Sequence, residues 1–347
     1  MKKLPLKSAS FRYLEQSFGE WLDVLGYAPT TVKSFPVYVR ELLHYMESKG
    51  KQQVSQIDIP IIKSHYRELS QRANQRQGGG LSNNYLNAHL NALERLLEYL
   101  RKQARMEIPA LSIPHETPNP KEVIPLSIAQ VKALYEAAGM EEDTRPVAAL
   151  RDKAFLALFY DCGLRRSEGT ALNIGDIDFD NRLVAVRKGK GSKARYVPFG
   201  KQTARQLENY CYEGRPRLLS PNSKEDAFLL GNRGTRICGN TLNRRLKELV
   251  ELVNEHFPNP QSTNDQTPND SFPNDQLLIS ITQPVHLHVL RHSIATHLLY
   301  QGMEIEKVSQ FLGHDSLEST QVYTHIMERF YLSDRNNMKV DLSNEMT

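Results

Sequence analysis

Four short stretches from residue 163 onward crowd together side chains able to bind an anion, move a proton or attack a substrate. They are Gly163-Leu164-Arg165-Arg166-Ser167-Glu168, Gly189-Lys190-Gly191, His288-Val289-Leu290-Arg291-His292, and Leu312-Gly313-His314 with Tyr323 nine residues further on. Arginine offers a permanently charged planar fork that fits carboxylate and phosphate oxygens. Histidine exchanges protons near neutral pH. A tyrosine hydroxyl, poor at its ordinary pKa of about 10, attacks only when neighbours activate it. Singly, each stretch has an ordinary structural explanation. Arg165 suits a surface salt bridge, and His-x-x-Arg is common. Gly-Lys-Gly suits any hairpin tip and lacks the Gly-x4-Gly-Lys-Ser/Thr pattern of a nucleotide-binding loop. Tyr323, within Gln-Val-Tyr-Thr-His, can pack its ring and expose its hydroxyl. Of the two histidines before Arg291, only His288 stands three residues away, on the same helical face, so His288 is preferred to His286. Tyr331, eight residues beyond Tyr323, is read as structural.

The elements that must carry these stretches are legible in outline. Phe35, Tyr38, Val39, Leu42, Leu43 and Met46 recur on one face of a helix, with a threonine of Pro29-Thr30-Thr31 as N-cap and Gly50 as stop. Leu86, Leu90, Leu93, Leu97 and Leu100 mark another helix after the Gly78-Gly79-Gly80 turn. Asn83, Asn84 and Asn87 fall off that stripe. They read equally as a solvated face or as donors to phosphates and base edges. Five prolines between Met106 and Pro125 indicate an extended linker. Beyond it, Ser127 is placed to cap a helix running to about Gly139, and Phe155, Leu158, Phe159 and Cys162 keep helical spacing until Gly163. The runs 183–186 and 195–199 read as two strands of a hairpin with a basic, glycine-containing tip. Residues 256–284, rich in Asn, Pro, Asp and Ser, read as an insertion without chemistry. The predicted organisation is a helical domain over 1–106, a linker over 107–125, a second domain over 126–333 and a tail over 334–347.

Length and composition agree with two soluble domains. The chain has 347 residues, 39% hydrophobic and 24% charged. No apolar run approaches the ~20 residues of a membrane span, and no apolar stretch follows the N-terminal lysines as a secretory signal requires. Three cysteines without paired spacing read as reduced thiols of a cytoplasmic protein, with no metal and no cofactor expected. Charge is uneven. Residues 1–105 hold 16 Lys and Arg against 9 Asp and Glu, a net of +7, and the remainder holds 28 against 31. A basic first domain suits a polyanion such as DNA.

Taken together and in this order, GLRRSE, GKGSKARYVP, HLHVLRHSIATHLL and LGHDSLESTQVYTH resemble the tyrosine recombinase, or phage integrase, family, most like its Xer-type and integrase members. By motif the resemblance covers roughly residues 125–330. It implies a mainly α fold with a small antiparallel β-sheet. A helical, SAM-like core-binding domain and an α+β catalytic domain would close on DNA as a C-shaped clamp. The implied reaction cuts and rejoins DNA through a 3′-phosphotyrosine intermediate, without ATP or metal. Tyr323 is then the nucleophile, Arg165 and Arg291 hold the phosphate, His288 accepts the tyrosine proton, Lys190 protonates the leaving 5′-oxygen, and His314 supports the phosphate. Glu168 and His292 would support these groups. Arg187, Lys188, Lys193 and Arg195 join Asn83, Asn84 and Asn87 as candidates for contact with DNA. The resemblance further implies a homo- or hetero-tetramer on two double-stranded DNA sites. Phe330, Tyr331 and Leu332 would dock on a neighbouring subunit, and the protein would lie in the cytoplasm with the nucleoid and away from membranes. A type IB topoisomerase would share this chemistry, and a silent DNA-binding regulator would share the fold. The spacing of the last motif and the retention of all six polar positions favour the recombinase. The lack of a carboxylate cluster disfavours a metal-dependent nuclease.

Overall fold

The computed structural model describes residues 4–75, 78–103, 105–117, 123–187, 194–257 and 279–313. The chain divides into two units, Met1–Lys121 and Glu122–Thr347. In the first, helix α1 (Ala9–Val24) starts where the Ser8 hydroxyl accepts the Phe11 amide. Helix α2 (Pro29–Ser48) begins on Pro29 itself, and Ala28 stands at its cap with no side-chain bond. The threonine cap expected from the sequence is therefore not used, because proline at the first helical position needs no amide partner. Helix α3 (Ile59–Gln71) is capped by Asp58, and α4 (Asn83–Gln103) buries the predicted leucine stripe. Phe11, Phe18, Leu42, Leu43, Met46, Ile62 and Leu97 form the core between these helices. Arg40 of α2 reaches Glu15 of α1 at the edge of that core, Nε to Oε1 at 2.9 Å.

The described part of the proline-rich stretch, 105–117, lies along this first unit rather than running free. Ile108 enters the core, and Leu111 and Ile113 pack beside Tyr66, Leu86 and Leu90. Asparagines one helical turn apart on α4 hold it. Asn83 Nδ2 donates to the Thr117 carbonyl at 2.7 Å, and Asn87 both donates to the Glu116 carbonyl and accepts its amide at 2.8 Å. Asn91 Oδ1 lies 3.1 Å from His115 Nε2. An extended chain leaves its amides and carbonyls unpaired, and the asparagine side chains satisfy them.

In the second unit, α5 (Ile128–Gly139) is capped by the Ser127 hydroxyl, with Gln130 returning a bond to the Ser127 amide. Helix α6 (Pro146–Leu156) widens into a π-helical turn, Ala157–Asp161. Helix α7 (Arg166–Ala171) leads to a three-stranded antiparallel sheet in the order β1 (Ile177–Asp178), β2 (Leu183–Val186), β3 (Arg195–Pro198). The register pairs Val184 with Val197 and Val186 with Arg195. Helices α8 (Lys201–Asn209), α9 (Gly239–His256), α10 (Leu287–Tyr300) and α11 (Ile305–Leu312) complete the described unit. Its core gathers Phe155, Leu158, Phe159, Leu207, Tyr210, Phe228, Leu246, Leu249 and Leu290. The end of the 256–284 segment belongs to this core, contrary to the expectation of a loop throughout. Ile281 is buried, and its amide and carbonyl both bond to the Asn254 side chain. At the unit's entrance the Leu126 amide donates to the buried Ser293 hydroxyl of α10 at 2.8 Å.

The first unit also buries two histidines. His89 of α4 is fully enclosed, its ring 4.3 Å from that of Tyr38 and 4.6 Å from that of Tyr85. Neither of its ring nitrogens has a hydrogen-bond partner among the described residues. His65 of α3 packs against Tyr45, the ring centres 5.2 Å apart and the planes tilted. The charged groups facing them are Glu41 of α2, 3.9 Å from His89 Nε2, and Arg72, which pairs with Glu41. Burial, then the Arg72 charge, lowers His65 to about 4. Burial, then His65 and Arg72, lowers His89 to about 3. The unfolded chain takes up these protons near pH 6.5 and the folded one does not, so stability present above pH 6.5 is lost as pH falls toward 4. Each histidine should remove about 1–2 kcal/mol between pH 7 and 5. Trp21, the only tryptophan in the chain, packs in this unit against Phe18 and Tyr99. Denaturant titrations followed by its fluorescence should show His89→Phe losing less stability than wild type between those pH values. An unchanged pH dependence would refute the assignment.

Candidate active site

The site is built where three elements of the second unit meet the end of α11. The π-helical turn closes at Cys162, and Gly163 then reverses the chain with φ +57°. A side chain at Gly163 would meet Leu312 Cδ2 at 2.9 Å, so glycine is needed for the approach as well as for the backbone angle. Two residues later Arg165 takes extended backbone at the N-cap of α7, and Glu168 is the third residue of that helix's first turn. Its carboxylate accepts the Arg165 amide at 2.8 Å, which starts the helix and fixes the arginine's root. Helix α10 supplies His288 near its start and Arg291 one turn later. Helix α11 stops at Gly313, which is left-handed at φ +66°.

The three carbonyls that close α11 are each taken by a different arginine. Arg195 Nε donates to Phe311 at 3.1 Å, Arg291 Nη2 to Leu312 at 2.7 Å, and Arg165 Nη2 to Gly313 at 2.6 Å. Arg291 Nη1 also donates to the Gly163 carbonyl at 2.6 Å, which ties the two glycine turns together. Glu168 lies among the guanidiniums. Arg165 Nη1 and Arg195 Nη1 both reach its Oε1 at 2.9 Å, Arg195 Nη2 reaches Oε2 at 3.0 Å, and Arg291 Nη1 stands 3.9 Å away. Residue 314 follows this turn directly.

The electrostatics follow from that packing. Burial alone would raise the Glu168 carboxyl, but the Arg195 fork, the Arg165 amide and the two guanidinium charges hold it at about 2. It is a permanent anion at any working pH. His288 is exposed beside the site, and partial desolvation, then the charges of His286, Arg166, Arg291 and Arg165, lower its pKa below 6.5. An uncharged His288 at neutral pH is able to accept a proton. His292 is half-buried behind it and is lowered to about 4 by burial, then by His288, Arg291 and His286. Among the described residues no cluster of three or more His, Cys, Asp or Glu is arranged to hold a metal, and no helix is long and apolar enough to cross a membrane.

The structure thus gathers Arg165, Glu168, His288, Arg291 and His292 of the predicted set. Lys188, Lys190, Lys193, His314 and Tyr323, together with Phe330, Tyr331 and Leu332, lie outside the described residues. Arg187 is largely exposed, with Nε 2.6 Å from Asp176 Oδ1. Two expectations are corrected. Arg195, assigned from sequence to the DNA surface, has a side chain only 9% exposed and spends its donors on Glu168 and Phe311. Asn83 and Asn87 use their amides on the 116–117 backbone, and of the three candidate asparagines only Asn84 is exposed. Arg195 is the residue that sequence reasoning misplaces. A signal is present: strand alternation puts it on the same face as buried Val197 and opposite exposed Tyr196.

Residues 126–329 match the phage integrase family. Over 319 residues the chain is 30% identical to the tyrosine recombinase XerC of Oceanobacillus iheyensis, a span of 89% of this chain and 90% of that protein. It is 28% identical over 316 residues to the tyrosine recombinase XerC 2 of Ralstonia nicotianae, covering 91% and 82% respectively. Among solved structures, the XerH site-specific recombinase bound to palindromic difH substrate, in a post-cleavage complex, gives a TM-score of 0.65 at 18% identity over 96% of this chain and 86% of that one. A lambda integrase dimer bound to a COC′ core site gives 0.60 at 11% identity over 91% and 77%. At these identities the structural likeness is one of fold, mostly helical with a small antiparallel sheet.

Gly313 offers a direct check on the geometry. A Cβ there would stand 2.7 Å from Arg195 Nη1, on backbone with φ +66° that side chains rarely adopt. Gly313→Ala should cost about 1–3 kcal/mol of stability, read by chemical denaturation. Its DNA cleavage should fall as well, since the Arg165 and Arg195 contacts to this turn must shift. A variant as stable and active as wild type would show that the turn is not held in this form.

Proposed function

This chain belongs to the phage integrase family and is a site-specific DNA recombinase of the tyrosine type; from that premise we propose that Tyr323 attacks the scissile phosphate in the setting formed by Arg165, Arg291, His288, Lys190 and His314. The observation that carries this reading is the convergence of Arg165 and Arg291, from separate elements, on the turn that immediately precedes residue 314. The Tyr323 hydroxyl oxygen bonds to phosphorus, the bond from phosphorus to the 5′-oxygen breaks, and a 3′-phosphotyrosine remains. The phenolic proton passes to His288, and Lys190 gives a proton to the departing 5′-oxygen. Negative charge that builds on the non-bridging oxygens is met by the two guanidiniums, where loss of one preorganised donor typically costs about 10²–10³ in rate. His314 adds a hydrogen bond to the phosphate. Attack by a 5′-hydroxyl of another strand reverses the steps and rejoins the DNA. The bond energy is kept in the phosphotyrosine, so the cycle needs no nucleotide hydrolysis.

The DNA-bound recombinases among the structural neighbours and the basic first unit support a duplex partner gripped by both units. Two sites and a tetramer of this chain, or of this chain with a related one, complete the proposal. The segment around Phe330, Tyr331 and Leu332 would dock on the neighbouring subunit. We place the protein in the cytoplasm with the nucleoid.

The recombination junction can be mapped by sequencing the DNA that flanks the gene, and a nicked duplex built on it traps the covalent intermediate. Wild type should form an adduct on this duplex in the presence of chelator. Tyr323→Phe should form none while binding the duplex as well as wild type, because only the phenolic oxygen reacts. An adduct from the Phe variant would move the nucleophile elsewhere, with Tyr331 the next to test. Lys190→Ala should cleave the ordinary duplex slowly, yet recover when sulfur replaces the 5′-bridging oxygen, since a thiolate departs without an acid. Equal losses on both substrates would remove Lys190 from the role of general acid.

A further inference from the structure

Arg195 lies at the start of β3, on the strand that returns from the basic hairpin, yet its guanidinium turns inward. Its fork closes on both oxygens of Glu168 at 2.9 and 3.0 Å, and its Nε holds the Phe311 carbonyl at 3.1 Å. The same carboxylate holds Arg165 by its amide and by Nη1. We propose that Arg195 is a positioning residue of the cleavage step: its fork occupies both oxygens of Glu168, so that the Arg165 guanidinium keeps its place on the Gly313 carbonyl and its charge for the phosphate. This rests on the function proposed above and adds a residue to it.

The physical basis is competition for a single anion. A carboxylate that accepts a bidentate fork from one arginine has its lone pairs and charge largely committed. Glu168 is then left with one contact to Arg165 Nη1 and one to the Arg165 amide, and the Arg165 Nη2 group stays on Gly313 at 2.6 Å. Without Arg195 the buried carboxylate turns to the nearest remaining cations, Arg165 at 2.9 Å and Arg291 at 3.9 Å. Both would be drawn toward Glu168, and part of their charge would be cancelled before any phosphate arrives. Arg195 also joins three pieces of chain: strand β3, the first turn of α7, and the last turn of α11. A lysine retains the charge but cannot span both carboxylate oxygens and a carbonyl at once.

The test uses the full-length protein and the nicked duplex, with either an ordinary phosphodiester or a methylphosphonate at the scissile position. The methyl group replaces one charged non-bridging oxygen, so the transition state carries less charge for guanidiniums to meet. Single-turnover cleavage by Arg195→Gln at saturating protein should fall about 10²-fold on the phosphodiester, with DNA affinity unchanged. On the methylphosphonate the deficit should shrink to about tenfold or less, and Arg195→Lys should lie between wild type and Arg195→Gln on both duplexes. The same factor of loss on both duplexes would mean that Arg195 only supports the fold, and the proposal fails. A normal cleavage rate with weakened DNA binding would make Arg195 a phosphate contact, and the proposal fails again. If Arg195→Gln does not fold, Arg195→Lys carries the comparison and the ratio between its two deficits decides. Tyr323→Phe, run in parallel, must give no adduct on either duplex. An adduct there would overturn the nucleophile assignment and not the role of Arg195.

Discussion

A helix that stops leaves its last carbonyls without partners inside the helix. In α11 those carbonyls are Phe311, Leu312 and Gly313 in succession, and three arginines from three elements take one each. Guanidiniums suit the place, because the end of a helix carries partial negative charge. The consequence for the fold is a shared reference point. The N-cap of α7, the start of β3 and the first turns of α10 are all registered against the same turn of backbone. A shift of that turn by an ångström would therefore disturb all three arginines at once.

Glu168 complicates this arrangement in a useful way. A carboxylate beside a phosphate-binding centre would normally repel its substrate, and the low pKa of Glu168 keeps it ionised throughout. Pairing with Arg195 offsets most of that repulsion, while the contact to Arg165 holds the guanidinium proposed to meet the phosphate. Orientation is thus obtained from an anion whose field has been largely cancelled. His288 stays outside this pairing. It is exposed, and desolvation together with the neighbouring charges, buried Arg291 among them, lowers its pKa.

Much of this architecture is legible in the amino-acid sequence. The leucine stripe of α4, the Ser127 cap, the β2–β3 hairpin and the stop at Gly163 follow from local periodicity and turn chemistry, and local rules reach that far. The spacing of His288 and Arg291 puts both on one face of α10 for the same reason. What escapes such rules are partners distant in sequence. Nothing near Asn83 or Asn87 indicates that residues 116–117 will return to lie along them, so their amides look available to DNA. Arg195 is misleading because it sits in a run of basic residues, and charge density outweighs the alternation that places it inward with Val197. The end of the 256–284 segment misleads because its polar composition hides Ile281, which takes its place in the core through Asn254. Boundaries set by composition alone are weakest where a few residues on the margin rejoin the fold.

The bonds at the two ends of the connector set a leash. Thr117 is fastened to α4 through Asn83, and Leu126 is fastened to α10 through Ser293. Nine residue steps separate these anchors, and a chain stretched to its limit at roughly 3.5 Å per step covers about 30 Å. If both units grip one duplex, as proposed, a unit that lets go of its DNA stays tethered to the one still bound, at an effective concentration on the order of millimolar. Recapture would then outpace escape, and the lifetime of the complex on its site would exceed what either unit achieves alone. Lengthening the connector dilutes this advantage without touching a single contact to DNA.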